Sequence, residues 1–236
     1  MLDSLLYTSS RNAKLVLLTD YLKKTPDPDR GIALAALTGN LNLPNVTPTT
    51  IRRLISSKVD PILFSWSYDF VGDLAETTAL MWPSVSRDLE WPRLGDIYSK
   101  IMSSRKTELP KLISSWLDEM DETGRWALLK LMGGGLRVGV SARLAKTSLA
   151  EFGNIDVTEI EEVWHALELP FDDLFAWLDG KTQRPSMDDR AVFRPLMLAN
   201  PIADKELSEI KPDDYALEWK WDGIRVQISC NGAERK

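Results

Sequence analysis

Cysteine and histidine are scarce in this 236-residue chain, which contains one of each. The single cysteine, Cys230, cannot form a disulfide within the chain, and such low cysteine usage is typical of the reducing cytoplasm. One cysteine and one histidine cannot supply a zinc site built from these residue types. No apolar run is long enough to span a membrane, and the first residues lack the basic start and apolar stretch of a secretory signal. We therefore expect a cytoplasmic protein with no metal ligands among these residues.

Positive charge is also in deficit, because the formal net charge is −6. This balance argues weakly against nucleic-acid binding by the chain as a whole, but the charge is unevenly distributed. Residues 124–150 contain no acidic residue, whereas residues 151–190 contain eleven acidic and three basic residues. The basic residues of the first segment are Arg125, Lys130, Arg137, Arg143 and Lys146. This segment could bind a phosphate backbone, or it could be a solvated helix face whose counter-charges come from elsewhere in the fold.

Three consecutive glycines begin at Gly133, inside this basic segment. They follow a helix-like run and should end it, leaving backbone N–H groups without side-chain obstruction. If the next helix begins near Ser141, its N-terminus would present unpaired N–H donors to an anion. The segment therefore predicts a phosphate-binding loop, although a triple glycine is also typical of a loop that is merely flexible.

Most of the chain has the periodicity and punctuation of helices, and no strand-like alternation precedes residue 213. Ser9 or Ser10 can cap the first of these helices. Asp29 can cap the second, and Thr47, directly before a first-turn proline, can cap the third. His165 falls in a predicted helix and is interpreted as structural. The predicted helices span residues 10–24, 30–39, 48–58, 71–81, 93–103, 109–121, 122–132 and 158–169.

The most informative segment begins at Glu218 and reads Glu-Trp-Lys-Trp-Asp-Gly-Ile-Arg. Side chains alternate between the two faces of a strand, so Glu218, Lys220 and Asp222 would share one face. Trp219 and Trp221 would anchor the opposite face. An amine nucleophile needs this kind of setting, because a low-dielectric wall and nearby charges tune its pKa. The same pattern also describes an ordinary half-buried strand with a salt-bridged outer face.

The residues that follow extend this pattern. Gly223 lets the backbone turn sharply or approach a ligand closely. Arg225 offers a fixed fork of donors that suits a phosphate or a ribose hydroxyl. Residues 226–230 are predicted to form a strand, and Asn231 with Gly232 is the strongest two-residue signal for a hairpin turn.

The segment from Glu218 to Arg225 resembles motif I of the covalent nucleotidyltransferases, the Lys-x-Asp-Gly-x-Arg signature of ATP-dependent DNA ligases and mRNA capping enzymes. Residues 135–139, Gly-Leu-Arg-Val-Gly, resemble a segment of the helical DNA-binding domain of these ligases. Residues 71–76 resemble another segment of that domain, and residues 193–199 resemble the stretch that leads into ligase catalytic domains. Motif I alone would also fit an RNA ligase or a capping enzyme, but the upstream segments favour an ATP-dependent DNA ligase.

This resemblance implies a mainly helical fold class. Residues 1–190 would form an all-helical DNA-binding domain, and residues 191–236 would supply the first strands of an α+β adenylation (nucleotidyltransferase) domain. The implied cofactors are ATP and Mg²⁺, and the implied partner is nicked double-stranded DNA in replication, repair or recombination. We expect a monomer associated with the nucleoid in the cytoplasm of a bacterium. The later catalytic motifs of the family would lie beyond residue 236, so this chain alone is expected not to seal nicks.

The resemblance also implies the chemistry of the motif. Lys220 attacks the α-phosphate of ATP and forms lysyl-AMP. The AMP then moves to the 5′-phosphate of the nick, and the 3′-hydroxyl displaces it to seal the strand. Glu218 resembles the residue that recognises the adenine amino group, and Arg225 resembles the one that contacts the ribose. Asp222 is expected to shape the loop rather than to bind the metal.

On the DNA side, the resemblance implies backbone contacts from Gly135, Arg137 and Gly139. Helical spacing adds Arg143 and Lys146 to that surface. Two other classes of protein stay open from the residues alone. The chain could be a DNA-binding module without catalysis, or a helical interaction protein in which the Lys-x-Asp-Gly-x-Arg pattern is a coincidence.

Overall fold

A computed structural model describes residues 1–43, 46–83, 91–186, 201–207, 209–216, 218–219, 221–224, 226–232 and 234–235. The chain divides into two compact units. The first contains Met1–Ile160 and Leu167–Pro185, and the second contains Glu161–Ala166 and Ser186–Lys236. The domain boundary predicted near residue 190 lies outside the described residues.

Helices account for the regular structure described in the first unit. A 3₁₀ turn, Trp164–Ala166, directly follows the helix Val157–Val163. The mainly helical fold class predicted from the sequence is confirmed. In chain order the helices are α1 (Leu2–Tyr7), α2 (Arg11–Lys24), α3 (Asp29–Thr38), α4 (Pro48–Ser56), α5 (Pro61–Val71), α6 (Leu74–Met81), α7 (Leu94–Ser103), α8 (Leu109–Glu119), α9 (Glu122–Met132), α10 (Ala142–Gly153), α11 (Val157–Val163) and α12 (Asp172–Leu178).

Local capping signals determine where two of these helices begin. Ser10 Oγ accepts a hydrogen bond from Ala13 N–H at 3.4 Å at the start of α2. Thr47 Oγ1 accepts one from Thr50 N–H at 3.3 Å at the start of α4, whose first turn contains Pro48. Because each cap satisfies an N–H group only three residues away, the sequence alone predicts it, and both predicted starts are confirmed.

Asp29 does not cap its own helix, so that prediction is wrong. The residue lies inside the first turn of α3, and its carboxylate points to another helix. Its Oδ1 accepts a hydrogen bond from Gly95 N–H at 2.8 Å, and its Oδ2 accepts one from Arg93 Nε at 3.1 Å. Asp29 therefore caps α7, because it accepts from a backbone N–H in the first turn of that helix. Helix α7 begins 65 residues after Asp29 in the sequence.

Other predicted boundaries also shift. The sequence pattern did not predict α1, α5 or α12. The helix predicted from residue 71 begins only at Leu74, because Gly72 ends α5 with a φ of +75°. The helix predicted for residues 158–169 ends at Val163, and His165 lies in the following 3₁₀ turn.

Clusters of buried apolar side chains stabilise the first unit, and two of them position the candidate site. The larger cluster contains side chains from each helix from α4 through α9, including the fully buried Ile55, Ile113 and Leu117. The smaller joins α1, α2 and α10 to the glycine-rich loop between α9 and α10, through Leu5, Leu18, Leu136, Val138 and Leu144. Burying one such side chain contributes roughly 1.5–3 kcal/mol. The smaller cluster therefore packs the loop against α1, α2 and α10.

The second unit contains little regular structure in its described residues. A short helix, α13 (Asp204–Leu207), precedes a 3₁₀ turn, Pro212–Asp214. Strand β1 (Cys230–Asn231) pairs antiparallel with β2 (Glu234–Arg235). Of the strand predicted for residues 226–230, only Cys230 lies in an observed strand. Asn231 pairs with Glu234, so it belongs to β1 rather than to the predicted turn, whereas Gly232 is a turn residue as predicted.

A buried guanidinium joins the two ends of the first unit's sequence. Arg30 of α3 donates from Nε to Asp27 Oδ1 at 2.7 Å and from Nη2 to Asp179 Oδ2 at 2.8 Å. Its carbon Cζ lies 4.2 Å from the centroid of the Phe175 ring. Asp179 follows the last turn of α12, so this contact attaches α12 to α3. The hydrogen bonds from Arg30 lower the pKa of Asp179 to about 2.

We expect Asp179→Asn to destabilise the first unit in a pH-dependent manner. A carboxylate whose pKa is lowered by folding stabilises the fold above its unfolded pKa of about 4, and this stability is lost as the pH falls. The free energies of unfolding of wild type and variant should differ by roughly 1–2 kcal/mol at neutral pH, allowing for solvent screening, and converge towards about pH 2. Urea unfolding at several pH values measures this difference. Asp173→Asn, an exposed change on α12, is the control, and a constant difference at all pH values would contradict the assignment.

Candidate nucleic-acid interface

The loop between α9 and α10 holds a regular alternation of buried and exposed side chains. Gly133 ends α9, and Gly134 follows with a φ of +70°. Leu136 and Val138 are buried in the smaller apolar cluster. Arg137 lies between them and is exposed. The two apolar anchors therefore force the guanidinium of the residue between them towards solvent.

Arg137 adopts a backbone conformation that is unfavourable for a residue with a side chain. Its φ is +48°, and Gly139, two residues later, has a φ of +66°. Left-handed backbone costs roughly 1–2 kcal/mol for a residue other than glycine. Such strain persists only where the surroundings over-determine it, and it is concentrated at binding and catalytic sites. The strain at Arg137 thus indicates that this loop is a candidate binding site.

Lys14 holds the loop in this conformation. Although it is a lysine, it is buried on α2, and its Nζ donates to Val138 O at 2.7 Å and to Gly139 O at 3.1 Å. A Cβ atom at Gly139 would collide with this ammonium group. Position 139 therefore requires glycine twice over, for its positive φ and for the space that Lys14 occupies.

Sequence reasoning missed Lys14, although a signal was present. The residue is spaced four and eight positions before Leu18 and Leu22, which are both buried. Side chains at this spacing share one face of a helix. A lysine in line with a core stripe has to satisfy its ammonium group with buried acceptors. The loop carbonyls are those acceptors here.

The first turn of α10 adds further polar groups to the loop. Ser141 Oγ accepts a hydrogen bond from Leu144 N–H at 3.2 Å, which confirms the predicted start of this helix. Arg143 is exposed in the first turn, and Lys146 is half-buried one turn later. Arg137 and Arg143 form no ion pair with any described residue. Two guanidinium groups and a helix N-terminus therefore lie within a short stretch of chain, which suits a phosphate.

Two members of the basic segment do not belong to this surface. Arg125 is buried and donates from Nε to Leu117 O at 2.7 Å and from Nη1 to Trp82 O at 3.3 Å. Lys130 forms an ion pair with Asp73, the residue that caps α6. Burial raises the pKa of Asp73, but the hydrogen bond and charge of Lys130, together with hydrogen bonds from the backbone of Glu76 and Ala75, outweigh this effect and lower the pKa overall. For these two residues, the counter-charges and acceptors do come from within the fold.

The predicted nucleotide site is described only in part. Lys220 and Arg225 lie outside the described residues. Glu218 is exposed, and Trp219 and Trp221 are each 86% exposed. The described residues of this segment form no strand, so the prediction that the two tryptophans anchor a strand face is wrong for this structure. A strand needs a neighbour to satisfy its backbone, and the only strand pair among the described residues is β1 with β2.

Two wider searches of the described residues bear on the kind of site present. No group of three or more histidine, cysteine or acidic side chains is arranged there to hold a metal ion. Among the helices of the described segments, none combines the length and apolar character needed to cross a bilayer.

Comparison with known proteins gives one informative similarity. No family model matches the chain. The sequence is similar to DNA ligase 1 of Korarchaeum cryptofilum (strain OPF8), with 26% identity over 242 aligned positions that cover 96% of this chain. The chain spans 43% of the length of that ligase. The similarity supports a DNA ligase-like relationship for both the helical unit and the segment that contains Lys220.

We expect Lys14→Met to loosen the glycine-rich loop. The substitution keeps the apolar stem but leaves the carbonyls of Val138 and Gly139 without their donor, which costs roughly 1–3 kcal/mol of unfolding free energy. Urea denaturation measures the loss. Lys23→Met removes an exposed lysine from the same helix and should change stability by less than about 0.5 kcal/mol. Equal stability of Lys14→Met and wild type would show that the ammonium group does not hold the loop.

Proposed function

We propose that this chain belongs to an ATP-dependent DNA ligase that seals nicks in duplex DNA. In this proposal the helical unit binds DNA, and residues 191–236 belong to an adenylation domain. The observation that carries it is the similarity to a DNA ligase over 96% of the chain, which includes both the glycine-rich loop and the Lys-x-Asp-Gly-x-Arg segment. The loop geometry supplies an independent physical argument for the DNA-binding part.

The DNA-binding part rests on the exposed groups of the glycine-rich loop and of α10. Phosphate contacts from arginine provide most of the affinity of proteins for a DNA backbone. Arg137 and Arg143 are exposed and lack acidic partners among the described residues, while Gly134 and Gly135 have open space where a side chain would lie. Gly135 has open space where a Cβ atom would lie, so the loop can approach a phosphate closely. We therefore assign the phosphate contacts to this loop and to Arg143, with Lys146 at its edge.

The catalytic part rests on Lys220. Its neutral amine would attack the α-phosphorus of ATP, forming a P–N bond as the bond to the leaving pyrophosphate breaks. A phosphate oxygen at the 5′ end of the nick would then take the AMP and release the lysine. Finally, the 3′-hydroxyl would attack that phosphate and expel AMP. Glu218 and Arg225 would hold the adenine and the ribose in these steps.

In this proposal Mg²⁺ would enter the site bound to the triphosphate. Its contribution there would be to neutralise phosphate charge. Lysine is protonated at neutral pH, so its attack also requires a site that lowers its pKa through desolvation or nearby cations.

The DNA-binding part is tested with Arg137→Ala. We expect this variant to bind nicked duplex DNA roughly tenfold more weakly, a loss of about 1.4 kcal/mol for one charge-assisted contact. The slope of log Kd against log salt should fall by about one unit, because one fewer phosphate is neutralised. Fluorescence anisotropy over a salt series measures both quantities. Lys23→Ala removes one positive charge from an exposed part of α2 and should change neither the affinity nor its salt dependence. If Arg137→Ala and Lys23→Ala bound DNA equally well, the loop would be excluded from the interface.

The catalytic part is tested with Lys220→Ala. Incubation of wild-type protein with Mg²⁺ and ATP labelled on the α-phosphate should attach the label covalently, and mass spectrometry should place it on Lys220. The variant should lose the label but bind nicked DNA as wild type does, because the two sites are distinct. Lys211→Ala should keep the label. DNA binding by a wild-type protein that never accepts the label would favour a DNA-binding module without catalysis.

A further inference from the structure

Helix α5 carries two apolar stripes, of which only one faces the core. Phe64 and Tyr68 stack on each other and pack in the larger apolar cluster. Ile62, Trp66 and Phe70 repeat at four-residue spacing on a different face, and all three are exposed. Trp66 is 70% exposed and Phe70 is 93% exposed. Single exposed apolar side chains are common on protein surfaces, whereas a continuous exposed apolar stripe with two large aromatic side chains is typical of an interaction surface.

This outer stripe borders a groove between α5 and α6. Trp66, Phe70 and Leu80 line a depression of about 430 Å³, together with Thr77 and Met81. Leu80 is itself 62% exposed and also lines a second depression, of about 190 Å³. Leu80 thus lies in both depressions, which we together call the α5–α6 groove.

The second depression is acidic. Asp3, Glu76 and Glu122 line it, beside the apolar side chains of Leu6 and Trp126. None of the three carboxylates forms an ion pair within the described part of the chain. The α5–α6 groove thus has an apolar end built on α5 and an acidic end shared by α1, α6 and α9. Unpaired carboxylates beside an apolar groove disfavour a nucleic-acid occupant and favour a cationic one.

We propose that the α5–α6 groove docks a helical segment of another protein that presents leucine or aromatic side chains next to lysine or arginine. A depression between two helices with exposed apolar side chains is the kind of surface into which an amphipathic helix lays its apolar face. The apolar anchors would bury Trp66, Phe70 and Leu80, and the basic side chains would pair with Asp3, Glu76 and Glu122. This surface uses none of the residues assigned to DNA or nucleotide, so it stands independently of the proposed function.

The probe for this surface is a fluorescein-labelled peptide of about 18 residues, or five helical turns, with leucine on one face and lysine on the other. A second peptide replaces every lysine by glutamate, and a third keeps lysine but replaces leucine by serine. Fluorescence anisotropy against the intact chain should show the first peptide binding at least about tenfold more tightly than either of the others. Equal affinity of the lysine and glutamate peptides would overturn the assignment of a basic partner.

Substitutions in the groove identify where the peptide binds. Trp66→Ala combined with Leu80→Ser should weaken binding of the leucine–lysine peptide by at least about tenfold. Glu76→Gln combined with Glu122→Gln should weaken it severalfold and reduce its salt dependence. Val16→Ser, an exposed apolar change on α2, is the matched control and should bind as wild type. Unchanged affinity of the Trp66→Ala and Leu80→Ser double variant, with its circular dichroism retained, would exclude the groove.

Self-association is the competing explanation for the same surface. Sedimentation velocity of the wild-type chain without peptide should show a monomer across the concentrations used for anisotropy. A dimer that dissociates in the Trp66→Ala and Leu80→Ser double variant would assign the groove to a second copy of the chain and would overturn the proposal. Because all the substituted side chains are exposed, the variants should fold, and each result therefore reports on binding.

Discussion

The two hydrogen bonds from the buried ammonium group of Lys14 determine the shape of the candidate DNA interface. A buried charge is unfavourable unless its donors are satisfied, so Lys14 can stay in the core only while the carbonyls of Val138 and Gly139 face it. That requirement fixes the loop backbone, keeps Leu136 and Val138 in the apolar cluster and leaves Arg137 outside. The strained φ of Arg137 follows from this constraint. The exposed position of one arginine thus depends on a lysine 123 residues earlier.

The same kind of contact recurs where helices meet. Asp29 of α3 caps α7, Asp73 at the start of α6 pairs with Lys130 of α9, and Arg125 of α9 donates to the backbone at the ends of α6 and α8. At these helix ends, polar groups are satisfied by groups on neighbouring helices. Two of the five basic residues in the central segment, Arg125 and Lys130, are therefore paired within the fold. The local excess of positive charge in the sequence consequently overstates the positive charge on the surface.

Sequence reasoning succeeded where a signal acts over a few residues and failed where its partner is distant. Ser10, Thr47 and Ser141 each bond to an N–H three residues ahead, so the starts of α2, α4 and α10 were predictable. Asp29 has the same chemical group, but its partner Gly95 is 66 residues away. Helix α5 was missed because its inner and outer stripes together cover most of its surface, which hides the helical period. The glycine-rich loop was predicted from its own residues, whereas Lys14 was not, because its acceptors become neighbours only after folding.

The two halves of the proposed activity make different demands on the structure. DNA binding needs exposed cations on a rigid backbone, and the loop with Arg137 already provides both. Attack by Lys220 needs the opposite environment, because an amine loses its proton near neutral pH only where burial or nearby cations disfavour the charged form. Trp219 and Trp221, the residues on either side of Lys220 in the sequence, are each 86% exposed, and Ile224 is 94% exposed. Adenylation therefore requires that these side chains become buried, whereas DNA binding by the helical unit does not. The affinity for DNA and the reactivity of the lysine should accordingly respond to different substitutions.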